Sequence, residues 1–296
     1  MSRVSMFATQ KQPDVSAFAV KPKMSGDVFV QLRDFIYERS GIFFAENKTY
    51  LLEDRISKRL VVHKFSRYEE YLYFLRYDPC AGDELKALYN SITTNETSFF
   101  RDMAQLDAFR KGIIPAIIAR KTTGPRVLRI WSAGCSTGEE PYTLAMMAVE
   151  DGLLSTGCSV EIVATDLSAH VLESANKAVY GDYSTRNTSE RILSKYFTRN
   201  GSGHEIKNDI KRMVRFEHLN LMDALKIRQM KGFDAVFCRN VLIYFNDDSK
   251  KKVVCSFYDA LAEKGYLVLS TSESIISITR AFSPVGVDRC IFYQKK

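Results

Sequence analysis

The sequence has no pair of cysteines spaced C-x-x-C; its six cysteines, at 80, 135, 158, 238, 255 and 290, are scattered along 296 residues. That spread excludes a disulfide framework and a zinc site, so reduced thiols and no metal are expected. No apolar run is long enough for a membrane span, and the first ten residues lack the apolar core of a signal peptide. A soluble protein that stays in the cytoplasm, without direct membrane insertion, is the expectation. Histidine is scarce: His63, His170, His204 and His218 all lie outside the motifs described below. There is no internal repeat and no low-complexity block.

The remaining composition is that of a globular protein, 46% hydrophobic and 26% charged, and the chain is long enough for two domains. The formal charge of +7 suggests an acidic partner: nucleic acid, anionic lipid or an acidic protein surface. The excess is concentrated. Arg55, Lys58, Arg59, Lys64 and Arg67 share one acid-free stretch, and Lys207, Lys211, Arg212 and Arg215 form a second cluster. A basic helix face of this kind is most often simply solvated.

The chain is organised around VLRIWSAGCSTGEEPY at 127–142. Val127, Leu128, Ile130 and Trp131 read as a strand buried on both faces of a parallel sheet. The small residues from Ser132 to Gly138 allow a tight turn and close approach of a ligand at the end of that strand. Glu139, Glu140 and Pro141 then open a helix. A helix start that cradles phosphate avoids carboxylates, so two glutamates here favour a ligand with a positive centre and sugar hydroxyls over a dinucleotide. S-adenosylmethionine, a sulfonium carrying an ammonium, has that character. The plain alternative is that both glutamates only complement the helix dipole.

Residues 1–24 read as a flexible lead-in. An all-α domain is expected over 25–92, with helices at 27–40, from about 48, from a capping box at Ser66-Arg67-Tyr68-Glu69, and at 83–92. Residues 93–102, TTNETSFFRD, suit neither helix nor strand and read as a linker with a role in the active site. A helix over 103–121, interrupted at Pro115, leads into the central strand. An α/β domain then fills 103–296. Val160–Ala164 is its second strand, and Asp166 at its end can accept hydrogen bonds from a ribose diol or else cap the next helix. A small β-hairpin, inserted at about 195–215, turns at Asn200-Gly201-Ser202-Gly203. Phe233–Cys238 is a buried strand, a helix over 248–263 is stopped by Gly265, and a final antiparallel strand is expected at 290–293.

Five stretches taken together resemble one family: TTNETSFFRD at 93–102, WSAGCSTGEEPY at 131–142, ATD at 164–166, NL at 220–221 and FDAVFCRNVLIYF at 233–245. The chain resembles the CheR-type methyltransferases, which methylate glutamate side chains of chemoreceptors with S-adenosylmethionine. The resemblance runs from about residue 25 to the C-terminus. It implies a Rossmann-like class I methyltransferase domain with a small inserted β-subdomain, preceded by a small all-α domain. It also implies roles. Asn95, Thr97, Arg101, Glu139, Asp166, Asn220, Leu221, Arg239 and Asn240 would bind the cofactor, and Arg101 and Tyr244 would face the reacting centre. Arg55, Lys58 and Arg59 would seat the cytoplasmic helical region of a chemoreceptor, with no nucleic acid involved. Taken singly, Tyr244 could be a core aromatic, Arg101 an ion-pair partner and Asn95 a helix cap. Around Gly201 and Gly203 the chain is shorter than the members that dock a receptor tether there, which departs from their pattern.

The chemistry agrees with that resemblance. A glutamate carboxylate is ionised near pH 7, so its methylation by in-line displacement needs no general base, and none of the histidines lies in the motifs. Two rivals remain at this level. One is a nucleic-acid amine methyltransferase, suggested by the charge and by Asn240–Tyr244, which lacks both prolines of the Asn-Pro-Pro-Tyr motif. The other is a catalytically silent cofactor- or receptor-binding scaffold.

Overall fold

The computed structural model describes residues 22–296, so most of the lead-in expected over 1–24 lies outside the described residues. The chain forms two compact units. One takes the described residues up to Phe35 with Phe44–Ile92, and the other takes Ile36–Phe43 with Thr93–Lys296.

In the first unit the helices are α1 (Gly26–Ser40, its last turn belonging to the second unit), α2 (Thr49–His63), α3 (Tyr68–Tyr77) and α4 (Ala81–Ile92). Leu52, Ile56 and Leu60 recur every four residues on α2 and are fully buried. The capping box at the start of α3 is shifted by one residue from the expected place. Arg67 is the N-cap, and it is Glu70, not Glu69, that reaches back to the amides of Ser66 (2.9 Å) and Arg67 (3.2 Å).

The second unit is built on a seven-stranded sheet. Its strands are β1 (Arg126–Ala133), β2 (Cys158–Asp166), β6 (Val214–His218), β7 (Phe233–Cys238), β8 (Leu261–Leu269), β9 (Phe282–Val287) and β10 (Cys290–Lys295). They lie in the order β6-β2-β1-β7-β8-β10-β9. The first five are parallel, whereas β10 runs antiparallel to both β8 and β9. The chain winds outward from β1 through β2 to β6 and then returns to β7 on the other side of β1. That reversal opens a crevice beyond the carboxyl ends of β1 and β7, the usual ligand site of such sheets. Strand β9, to which the sequence reading assigns no element, carries Pro284 and Gly286; as an edge strand it tolerates both.

Before β1, the helix expected over 103–121 is broken into α5 (Met103–Ala108) and α6 (Ile114–Arg120) by a π-helical turn at Phe109–Ile113. Pro115 follows at once, and the wider turn accommodates its missing amide and its ring. The helix Asp247–Ala260 ends three residues earlier than expected because Leu261 already pairs with Phe233, and Gly265 lies inside β8. Crossovers α7 (Glu139–Glu150) and α8 (Ala169–Lys177) cover the sheet.

A second, three-stranded sheet contains the expected hairpin, β4 (Phe197–Asn200) with β5 (Gly203–Ile206), plus the short β3 (Val179–Tyr180), in the order β3-β5-β4. Glu150 at the end of α7 ties this insertion down. It pairs with Arg191 and Lys195, each at 2.6 Å, and accepts from Tyr196. Those bonds hold its carboxyl down at about 2.

Candidate active site

Beyond β1 the loop takes a left-handed turn three times, at Gly134 (φ 76°), Ser136 (φ 50°) and Gly138 (φ 94°). Gly134 and Cys135 donate to the Thr165 carbonyl at the end of β2, at 2.8 and 3.0 Å. A methyl group on Gly134 would lie 2.5 Å from Val241, so the loops after β1 and β7 pack closely only because glycine stands there. Asp166, 7% exposed, accepts from the Ser136 amide on one oxygen and the Ser168 amide on the other, both at 2.9 Å. Burial pushes its carboxyl up, and those amides oppose the push. The cap of α8 is Ser168, whose hydroxyl accepts from Val171, which leaves Asp166 facing the loop.

The two glutamates at the start of α7 separate. Glu140 accepts from the Ser132 hydroxyl (2.7 Å) and pairs with Arg239 (3.2 Å), so it braces the end of β1 against that of β7. Glu139 is buried, and its carboxylate accepts from the Thr137 hydroxyl at 2.7 Å. Burial raises its pKa.

The linker is fastened along its length. The Asn95 carbonyl accepts from the Ser136 hydroxyl at 3.0 Å, and Ser98 accepts from Asn187. Phe99 is fully buried, edge-on to Tyr180 and Phe197, with centroids at 4.7 and 5.2 Å. Phe100 donates to the Thr143 hydroxyl at 3.1 Å. Phe100 (φ 53°) and Asp102 (φ 67°) are both left-handed and flank Arg101. Such a residue costs about 1–2 kcal/mol when it is not glycine, so the anchors on either side must hold Arg101 in place. Arg101 donates to the Glu96 carbonyl, and its own carbonyl accepts from Arg239, both at 2.9 Å.

Arg239 is buried at the end of β7, joined to Glu140, Asp102 and the Arg101 carbonyl, with its Nε left without a partner among the described residues. Asn240 (φ 59°) follows, and Tyr244 closes a 3₁₀ turn, half-buried, its carbonyl accepting from Phe43 at 2.9 Å. Among the described residues the Tyr244 hydroxyl makes no hydrogen bond. The Asn220 amide group donates to the Arg39 carbonyl and accepts from Met222, with Leu221 half-buried beside it. Thr97 lies half-buried in the linker.

Thus Asn95, Arg101, Glu139, Asp166, Arg239 and Asn240 belong to one connected set of loops at the carboxyl ends of β1, β2 and β7. Three parts of it have roles that the residue pattern does not assign. Glu140 and Ser136 sit inside the glycine-rich motif but act as braces. Glu273, described below, lies in no motif.

The cations of the basic face of α2 are bonded within the helical unit. Arg59 makes a two-pronged pair with Glu84, Nε to Oε1 at 2.8 Å, and Glu84 also accepts from Tyr71 (2.6 Å) and pairs with His63. Burial pushes the Glu84 carboxyl up, but these bonds outweigh it and hold it below its ordinary value. Arg59 is therefore engaged in an ion pair within the helical unit. Arg55 donates to the Ser91 carbonyl at 2.8 Å, and Lys58 pairs only with Asp54, at 3.1 Å.

Acidic groups and backbone turns dominate the crevice: a carboxylate at the end of β2, a buried one at the start of α7, and a turn that glycine keeps narrow. That donor set fits the ribose hydroxyls and positive centre of S-adenosylmethionine. Among the described residues no cluster of three or more His, Cys, Asp or Glu could hold a metal ion, and no helix is long and apolar enough to cross a membrane.

Comparison with known proteins agrees with this geometry. Residues 27–93 match the all-alpha domain of the CheR methyltransferases, and residues 95–291 match their SAM-binding domain. Chemotaxis protein methyltransferase 2 of Vibrio cholerae is 34% identical, over 86% of this chain and 88% of its own. The chemotaxis protein methyltransferase of Borreliella burgdorferi is 35% identical over 87% and 92%. That of Vibrio parahaemolyticus is 36% identical over 88% and 94%. The chain belongs to the CheR methyltransferase family: it is a chemotaxis methyltransferase that binds S-adenosylmethionine in a Rossmann-like domain behind an all-α one.

Proposed function

We propose that this enzyme transfers the methyl group of S-adenosylmethionine to glutamate side chains in the cytoplasmic helical region of chemoreceptors, and that it does so in the cytoplasm. One observation carries the reading: the linker is fastened to the loop after β1 at Asn95 and to Arg239 after β7 at Arg101, which suspends Arg101 at the crevice mouth. In this reading Asn95, Thr97, Arg101, Glu139, Asp166, Asn220, Leu221, Arg239 and Asn240 hold the cofactor. Residues 93–102 form an active-site linker between an all-α domain at 25–92 and a methyltransferase domain at 103–296.

The bound cofactor supplies a methyl group on a sulfonium. A glutamate carboxylate arrives ionised, so the chain has no proton to remove. Arg101 orients that carboxylate. Its grip must be modest, because the acceptor loses its charge as it becomes an ester, and a pair stronger in the ground state would slow the reaction. The half-buried Tyr244 ring offers the sulfonium a cation-π face, and its hydroxyl is free to fix the acceptor. The histidines support this reading: His63 is engaged with Glu84, His170 lies on α8, His204 on β5, and His218 stands opposite Asp166 and contacts the Leu167 carbonyl, so none of the four lies on the linker or on the loops after β1 and β7. An amine or hydroxyl acceptor would want a base here.

The test is label transfer from methyl-labelled cofactor to receptor cytoplasmic fragments. Protein-bound label released as methanol by mild base is the expected result. Base-stable label, or label entering nucleic acid instead, would overturn the proposal.

A further inference from the structure

Strand β8 ends beside β7, with Leu269 paired to Cys238, and the chain then turns at once through Ser270–Glu273. The Glu273 side chain points back across the neighbouring loop. Its Oε2 accepts from the Asn240 amide at 2.9 Å, from the Ser270 amide at 3.0 Å and from the Ser270 hydroxyl at 2.7 Å, while Oε1 accepts from the Ile243 amide at 3.3 Å. One carboxylate therefore closes both ends of the Asn240–Ile243 turn. The turn needs it: Asn240 is left-handed at φ 59°, and among the described residues the ladders of β7 end at Cys238, the next backbone bridge being that of Phe245 with Ile42 beyond the turn.

We propose that Glu273 is a positioning residue for the reaction: it fixes the backbone of Asn240 and the turn that carries Tyr244, and so sets the cofactor-binding and acceptor-facing side chains together. The inference rests on the placement of Asn240 and Tyr244 proposed above. The chemistry specifies a carboxylate. Two amides three positions apart, each held by its own oxygen, call for two acceptor oxygens, and glutamine offers one, turning an NH₂ toward the other amide. Buried Ser270, 4% exposed, locks the carboxylate from behind, so the device has a second member. Glu273 does not touch the reacting atoms in this scheme. It acts through Asn240 and Tyr244.

The test is binding of S-adenosylhomocysteine to the full chain by calorimetry, which needs no methyl acceptor. Glu273→Gln is expected to weaken binding about tenfold, and Ser270→Ala by less, since it removes one of the bonds that orient the carboxylate. In an Asn240→Ala background the effect of Glu273→Gln should shrink, because its route to the ligand is gone. Wild-type affinity in Glu273→Gln, or an undiminished effect with Asn240→Ala, would overturn the proposal. If Glu273→Gln does not fold, Ser270→Ala decides: unchanged affinity overturns the proposal and weakened affinity sustains it. Receptor fragments that take no label while these affinities behave as expected would sink the glutamate reading alone.

Discussion

Two arginines from polar stretches of the sequence end in opposite situations. In the helical unit Arg59 is matched to Glu84, and Tyr71 and His63 take further positions on the same carboxylate. In the methyltransferase unit the Arg101 side chain donates, among the described residues, to one backbone carbonyl, and it sits between two left-handed residues that cost energy to hold. The first side chain stabilises a fold and leaves little to offer a ligand. The second is held at a fixed place with donors to spare, which is what orienting a substrate carboxylate requires.

Breaking the first arrangement has the largest expected effect. Glu84→Ala would leave Arg59 largely buried with no carboxylate, at a cost of about 3–5 kcal/mol. The measurement is the urea midpoint of the full chain. A midpoint that does not move would mean that the charges of Arg59 and Glu84 contribute nothing net.

Breaking the second should leave the fold intact. Arg101→Ala is expected to lower turnover about a hundredfold, the order that misplacing a reactant costs, while affinity for S-adenosylhomocysteine changes less than about threefold. Steady-state rates with receptor fragments and calorimetry separate the two. Equal losses in both would show that Arg101 acts through cofactor binding alone and does not orient the acceptor.

The contrast between these arginines was not legible in the sequence. Arg59 stands 25 positions before its partner Glu84, on a different helix. Charge density along the chain reports neighbours in sequence, and the ion pair is a tertiary contact. The methyltransferase core was legible because its signals are local: an apolar run, a break of small residues, then acidic residues opening a helix. The expectation of a ligand at the end of β1 rested on those signals. Residue pattern said less about which member of a motif does what. Glu139 and Glu140 are equivalent as letters, but helix geometry turns them to different neighbours, and only Glu140 meets Arg239. Glu273 and Phe99 were invisible as partners of the site because the groups they meet come from distant segments. Strand β9 was missed because proline and glycine forbid a central strand and only an edge admits them.

A third prediction concerns a charge network whose cations are more exposed than Arg59. Glu150, held at about 2 by Arg191, Lys195 and Tyr196, joins α7 to the inserted sheet. Its folded-state pKa lies below that of the unfolded chain. The stabilisation is therefore fully present above about pH 4.3 and is lost as pH falls toward about 2. Glu150→Gln should lower the melting temperature at neutral pH and converge on the wild type in acid. A constant gap across that window would show that the bonds of Glu150, and not its ionisation, matter.

The smallest effect is expected at Lys58, the member of the basic face that the fold uses least. It is 62% exposed along its side chain, and its pair with Asp54 places the acid four residues earlier on the same helix, an exposed arrangement that contributes little. Lys58→Glu should thus leave stability nearly unchanged, which is what makes it a cleaner probe of the receptor than Arg59. If this face steers an acidic receptor helix, KM for receptor fragments rises about two- to threefold at low salt and the difference closes as salt screens it. Cofactor affinity should not move. A variant whose KM matches the wild type at every ionic strength would remove Lys58 from the encounter and leave the basic face of α2 as a solvated surface, with Arg55 and Arg59 explained by their bonds within the helical unit.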